Sequence, residues 1–314
     1  MTYFDLYHAY RAFRRGKRPS RDLIDFEYAL ESNLLGLLDA INHHTYRHGA
    51  YKTLDVTEKK RRRLAIASIR DRVVHRLVYD YLVQRLDKTL DPDVFSARRG
   101  KGLHKALTRT QNLLRRHPHS FIWRLDIHKF YDCVDNGILK TILLGKFPVS
   151  LIPEEAEYLY LSFEIIDSHP AGIPLGNLTS QIFANLYLNE FDRYVRHSLK
   201  PQAYIRYGDD MLLFAPNRQA TLRFQRQGSR YLAENLKLCL NPINNLIIPA
   251  DQPLHFLGHV ITKTYTVVDK HTTRSSLNKL NLSNAASYKS LNLAKVPKSL
   301  VDWILFDQIA EIIV

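Results

Sequence analysis

The chain has 314 residues, 45% of them hydrophobic, with 45 Lys and Arg against 31 Asp and Glu, a formal net charge of +14. That hydrophobic share excludes a disordered chain, and the clustered cations point to a polyanion partner, nucleic acid first. Two cysteines, Cys133 and Cys239, without metal-ligand spacing exclude a disulfide framework and a zinc site.

The N-terminus lacks the apolar core of a signal peptide, and no run of about 18 apolar residues exists, so a cytoplasmic protein without membrane contact is expected. Residues 1–63 mix cations with aromatic rings, as in "AYRAFRRGKRPSRD", a composition suited to phosphate contact and base stacking. Taken singly, each arginine there also fits a solvated helix face. "DLIDFEYALESNLLGLLDAI" spaces Leu23, Phe26, Leu30, Leu34, Leu37 and Leu38 as one amphipathic helix. "KKRRRLAIASIRDRVVHRLVYDYLVQRLDKTL" opens on five cations and alternates at Leu64 and Ile66. It continues as a long helix carrying Val73, Val74, Leu77, Val78, Tyr81 and Leu82. "ARRGKGLHKAL" is a basic glycine loop before another helix.

"SFIWRLDIHKFYDCVD" reads as a strand that breaks at Asp126. "AGIPLGNLTSQIFANLYLNEFDRYVRHSL" is a Gly/Pro loop running into a helix, with Thr179 and Ser180 as candidate caps and Ile182, Leu186 and Phe191 on its apolar side. "AYIRYGDDMLLFA" is a hairpin with Asp209 and Asp210 at its turn. Residues 236–268 read as a helix end and several short strands, and the chain closes on the apolar "SLVDWILFDQIAEIIV". No internal repeat is present, and one continuous α+β unit fits better than separable domains.

Two carboxylates at a strand turn and a third ending another strand form a hard-oxygen set of the kind Mg²⁺ prefers. Two such ions activate an attacking hydroxyl and stabilise a leaving pyrophosphate. A lone Asp-Asp pair usually marks a turn. Tyr-Gly-Asp-Asp between apolar strands, coupled to Asp126 some 80 residues earlier and to a glycine loop between them, is far more specific.

"LDIHKFYDCVD", "GIPLGNLTSQ", "RYGDD" and "FLG" follow the order and spacing of reverse transcriptase motifs, and "RRRLAIASIRDRVVH" and "SARRGKGLHKAL" resemble the fingers of bacterial members. The resemblance spans roughly residues 8–260. It implies an α+β right-hand polymerase. Residues 1–115 would form an N-terminal extension and fingers, 116–260 the palm with finger elements interleaved, and 261–314 a small thumb or C-terminal region. It implies an RNA-directed DNA polymerase with Asp126, Asp209 and Asp210 as catalytic metal ligands. The backbone carbonyl of Ile127 would join them, and two Mg²⁺ ions, replaceable by Mn²⁺, would serve as cofactors. Tyr131 takes the place of the aromatic that excludes a ribose 2′-hydroxyl, while Phe130 is core.

The resemblance also implies that Leu175, Gly176 and Gln181 border the nascent pair and that Arg63 grips the triphosphate, with Arg61 and Arg62 leaving the register open. Arg70, Arg72, Arg98, Arg99, Lys101, Tyr207 and Gly208 are candidate contacts to template or primer, the arginines and lysine through phosphates. Leu175-Gly176-Asn177-Leu178-Thr179-Ser180-Gln181, in place of Gln-Gly-x-x-x-Ser-Pro, is similar to diversity-generating retroelement enzymes. These copy a template-repeat RNA and misincorporate opposite adenine. The implied partners are template RNA, a DNA or RNA primer, dNTPs and a small basic accessory variability protein. A stand-alone or phage-defence reverse transcriptase and a silent RNA-binding scaffold are the competing readings.

Three departures from the pattern stand out. Gly208 replaces the usual Ala or Met before the acids. "LNPINNLII" lacks the usual lysine, with Lys237 the nearest upstream, and the C-terminal ~45 residues do not show the usual ending, leaving a thumb helix or a partner-docking helix as readings of the last segment.

Overall fold

Helix α1 (Tyr3–Arg14) starts at a capping box in which Thr2 and Asp5 exchange hydrogen bonds, and it buries Leu6, Ala9, Tyr10 and Phe13 at helical spacing. The computed structural model describes residues 1–57, 61–148 and 150–269. The segment read as one helix is two, α2 (Arg21–Tyr28) and α3 (Leu30–Asn42), hinged at Ala29 with ψ near 38°. The break is held from outside the local sequence pattern, because Asn33 Nδ2 donates to the Phe26 carbonyl at the corner, 3.0 Å away.

Strands β1 (Lys52–Thr57) and β2 (Arg61–Ile66) form an antiparallel hairpin that pairs Asp55 with Arg63. Helix α4 (Ile69–Leu86), capped by Ser68, buries Val73, Val74, Leu77, Val78 and Leu82 beneath α1. Helix α5 (Leu103–Arg116) leads to β3 (Phe121–Leu125), followed by the short α6 (Phe130–Cys133), α7 (Asn136–Leu144) and α8 (Pro153–Asp167). Helix α9 (Leu178–Tyr194) precedes the hairpin of β4 (Ala203–Tyr207) and β5 (Asp210–Ala215). Then come α10 (Arg218–Leu236), β6 (Leu246–Pro249), β7 (Leu254–Phe256), β8 (His259–Ile261) and β9 (Thr266–Val268).

The central sheet is antiparallel, in the order β4-β5-β3-β6. Side chains alternate faces along a strand, and that period sorts the core. Trp123, Leu125, Tyr204, Met211 and Leu213 join the helical cluster on one face. Ile122, Ile205, Leu212 and Phe214 join α5 and the β7-β8-β9 sheet on the other. Helix α5 is therefore built into the floor of the central sheet. The expected boundary at 260 falls inside β8, whose Ile261 pairs with Thr266. The reading of "SLVDWILFDQIAEIIV" lies outside the described residues.

Trp123 is fully buried and its indole donates to Asn245 at 2.8 Å, so the ring has no room to turn. Gly228 of α10 lies directly above it, and a Cβ there would stand 2.6 Å from two ring atoms. Alanine's helix propensity favours Gly228→Ala by about 1 kcal/mol, whereas overpacking costs about 1–3 kcal/mol. Because Trp123 is pinned, overpacking wins. Gly228→Ala is expected to lower unfolding free energy by about 1 kcal/mol, read as a lower urea midpoint at unchanged slope.

Candidate active site

The β4-β5 hairpin closes through Gly208 and Asp209, with Tyr207 paired to Asp210. Gly208 has φ +65°. A two-residue loop with its first position at positive φ and glycine there fits a II′ turn, a conformation that glycine adopts without a Cβ penalty. The β3-β5 register pairs Leu125 with Met211. Carried one residue on, it sets Asp126 across from Asp210, so two chain segments deliver three acids to one sheet end.

Asp126 is held on its other side by the departure "LNPINN". Asn241 and Asn244 each donate an amide N–H to Asp126 Oδ2 at 3.0 Å, and Asn241 N–H donates to the Asp126 carbonyl at 2.8 Å. Ile127 is buried and bridges Leu240. Neither asparagine was legible as a site residue, because their role appears only once β3 and the 239–244 segment are adjacent. Lys237, the substitute cation, instead ends α10 and pairs with Asp135 at 2.6 Å.

Burial and the charges of Asp126 and Asp209 push the Asp210 carboxyl up to about 7. Burial, then Asp126, pushes Asp209 up to about 6. Arg124, whose buried Nε has no hydrogen-bond partner, pulls Asp210 the other way. The trio is therefore short of positive charge, and its donors are all oxygen, the chemistry a hard divalent cation fits. Among the described residues, no three His, Cys, Asp or Glu side chains are already gathered around a point as a metal-binding set.

A cavity of about 240 Å³ adjoins the turn and is lined by Tyr131, Gln181, Asn185, Tyr207, Gly208 and Asp209 among others. Tyr131 borders it edge-on to Phe130, which is core as read from the sequence. Behind Tyr131, the Ile173 N–H donates to its carbonyl at 2.8 Å, and a Cβ at Gly172 would stand 2.2 Å from that oxygen. Glycine is thus required where the loop passes the Tyr131 backbone. On the side of the β1-β2 hairpin, the Ala65 N–H donates to the Leu175 carbonyl at 2.9 Å, and Asn177 Nδ2 donates to the Ala65 carbonyl at 3.1 Å. These two bonds set Leu175, half-buried, and Gly176, at φ +101°, against β2.

Thr179 and Ser180 do not cap α9. Asn177 occupies the N-cap, Ser180 Oγ donates to the Pro174 carbonyl, and Thr179 Oγ1 reaches His75 Nδ1 at 2.6 Å. Arg63 is exposed, 3.5 Å from Asp55. The side chains of Arg61 and Arg62 lie outside the described set. Arg98 corrects an expectation: its guanidinium is nearly buried and forks onto Asp87 while also donating to the Asp91 and Val94 carbonyls, so it braces a loop rather than meeting phosphate. Arg99 is exposed beside it, and Lys101 donates to Pro92 from above the Phe95 ring. Arg70 lies over Tyr46. Arg72 lines a second cavity of about 470 Å³ between α1, β2 and α4, together with Arg15, Lys17 and Arg76, a basic composition suited to phosphate.

The three aspartates at one sheet end thus have one cavity beside them, and a second, basic cavity lies against β2. Residues 51–261 match the family described as reverse transcriptase (RNA-dependent DNA polymerase), and the chain belongs to that family. It is 22% identical over 239 residues to Protein YkfC of Escherichia coli (strain K12), covering 64% of this chain and 63% of that protein. In fold it is similar to telomerase from Candida albicans in complex with a TWJ fragment of telomeric RNA, with TM-score 0.55 and 12% identity over 73% of this chain and 48% of that one. Apo telomerase from Candida tropicalis gives TM-score 0.54 and 10% identity over 74% and 52%. The chain thus spans about half to two thirds of these relatives' lengths. The α+β architecture is that of a right-hand polymerase. No described helix is long and apolar enough to cross a membrane.

His75 gives the site a pH signature. Its Nε2 meets His48 Nε2 at 3.0 Å, and His48 Nδ1 meets the Gly49 carbonyl at 2.6 Å. Because that carbonyl only accepts, His48 donates there, His75 donates to His48, and Thr179 donates to His75. Burial, then His48 and Arg72, pushes His75 down to about 3, against an opposing pull from Asp71. The unfolded chain, with His near 6.5, binds a proton that the folded chain refuses between those values. Stability therefore falls as pH drops through 6.5, by about 2 kcal/mol at pH 5. His75→Gln is expected to lose less stability than the parent between pH 7 and pH 5 in urea titrations.

Proposed function

We propose that the chain is an RNA-directed DNA polymerase that extends a DNA or RNA primer on template RNA with dNTPs. The observation that carries this reading is the meeting of Asp126, Asp209 and Asp210 at one sheet end, beside a cavity walled by Tyr131. Those three carboxylates, with the Ile127 carbonyl, would hold two Mg²⁺ ions, or Mn²⁺ in their place. The ions supply charge neutralisation and activation of the primer hydroxyl.

The protein's own part is positioning. Asn241 and Asn244 fix Asp126, the Gly208 turn sets Asp209, and Tyr131 crowds the space a ribose 2′-hydroxyl needs. Gln181, Gly176 and Leu175 shape the nascent pair. Arg63, with Arg61, meets the triphosphate, and Arg70, Arg72, Arg99 and Lys101 meet phosphates of the strands along with Tyr207. In this reading 1–115 serves as extension and fingers, 116–260 as palm and the remainder as thumb.

We further infer membership of the diversity-generating class, working with an accessory variability protein. Support comes from Leu175, which offers shape without a polar contact where relatives carry glutamine. One lost hydrogen bond relaxes selection by about 1 kcal/mol, roughly fivefold in error. Primer extension on a defined RNA, with Mg²⁺ and sequenced products, tests both readings. The Asp209→Ala, Asp210→Ala double variant is expected to lose activity on the order of 10³-fold or more. Errors are expected to concentrate opposite template adenine and to fall about fivefold in Leu175→Gln. Accurate parental DNA would reject the diversity-generating assignment and leave a stand-alone or defence enzyme.

A further inference from the structure

Two residues before the catalytic turn, Arg206 is fully buried with every donor assigned. Nε and Nη2 fork onto Asp192 Oδ1 and Oδ2 of α9 at 2.8 and 2.6 Å. Nη1 donates to Asn185 Oδ1 at 3.0 Å and to the Gly208 carbonyl at 3.1 Å, and the second Nη2 hydrogen faces the Asn185 carbonyl at 3.5 Å. Five N–H groups thus meet five acceptors. The backbone is clamped as well, since Arg206 N–H donates to Asp93 and the Arg206 carbonyl accepts from Phe95. A core ion pair alone has no need of a turn carbonyl. Here the planar fork fixes the guanidinium against α9, and its remaining edge points at the peptide that carries Asp209.

We propose that Arg206 is a positioning residue for Asp209, acting through the Gly208 carbonyl and anchored by Asp192 on α9. Asn185 extends the same device. Its Oδ1 accepts from Arg206, its Nδ2 donates to the Ser96 carbonyl at 3.0 Å, and it lines the cavity beside Asp209. The proposal rests on the polymerase reading only for its activity readout, because the Asp209 carboxylate can also be read by metal binding.

Tyr204 supplies the control. Its hydroxyl donates to Asp192 Oδ1 at 2.6 Å from the same buried cluster, but no hydrogen bond joins it to the turn. Arg206→Lys, Tyr204→Phe and the neutral pair Arg206→Gln with Asp192→Asn would be made in the full chain. The neutral pair removes the buried charges together, so it leaves no uncompensated buried charge where a lone lysine cannot satisfy the site, and its thermal unfolding shows whether it is folded. Each is followed by thermal unfolding, Mn²⁺ titration by electron paramagnetic resonance, and primer extension resolved into kcat and KM for dNTP. The positioning role predicts that Arg206→Lys or the neutral pair weakens Mn²⁺ binding about tenfold. It also predicts that kcat drops at least 30-fold with KM within threefold, while Tyr204→Phe shifts only the melting temperature. Arg206 variants that match Tyr204→Phe in Mn²⁺ affinity and kcat would overturn it. A parent that binds Mn²⁺ but extends no primer fails the polymerase reading alone, and the Mn²⁺ comparison then decides the role of Arg206. A parent that neither binds Mn²⁺ nor extends overturns both.

Discussion

Three carboxylates repel one another wherever they meet, and the backbone ladder beneath them fixes where these three stand. The β3-β5 ladder runs from Phe121 paired with Ala215 to Leu125 paired with Met211. It is anchored in a core on both faces, so it cannot slip by one residue without turning Trp123 and Leu213 out of the helical side. The acids sit one step past the last paired residues. Burial first, and then their mutual repulsion, raises Asp209 and Asp210, and both act against a sheet that is fixed for other reasons. The fold thus holds a local electrostatic cost that is relieved only when positive charge arrives.

Around that cost the chain places neutral donors and a cation that is already paired. Asn241 and Asn244 satisfy one Asp126 oxygen without neutralising the group. Arg206 is paired with Asp192, and its hydrogen bond to the β4-β5 turn is to a carbonyl. A free guanidinium among the acids would have neutralised them and competed with a metal ion. A paired one braces the backbone instead, and leaves the carboxylates their charge.

The β4-β5 hairpin was legible because its physics is local: apolar alternation, a glycine turn and two acids that such a turn does not otherwise need. Asp126 was legible because a strand of buried residues ended on it. What escaped reading depends on contacts far apart in sequence. Nothing in "FEYALES" breaks a helix, since Ala29 is a helix former, and the corner exists because Asn33 satisfies the freed Phe26 carbonyl. Thr179 and Ser180 have the composition of caps, but tertiary partners claim both hydroxyls. Arg98 and Arg99 are identical letters. The turn at Ala97, with φ +53°, sends one inward to Asp87 and leaves the other in solvent, a choice no periodicity encodes. Arg206 looked like one more cation in a basic chain until α9 placed Asp192 against it.

The two bonds between β2 and the loop at Leu175–Asn177 have a mechanical consequence. They staple the hairpin to the loop that enters α9 at Ala65, near the base of its second strand. Any swing of β1-β2 that preserves the staple must pivot there. Strands rise about 3.3 Å per residue, so Arg63 lies roughly 7 Å from the pivot and Arg61 roughly 13 Å. A tilt of about 10° would move the first by roughly 1 Å and the second by roughly 2 Å. The hairpin is a lever with a short arm at Arg63 and a longer one beyond it, so Arg63 keeps its place while the outer end of the strand travels about twice as far.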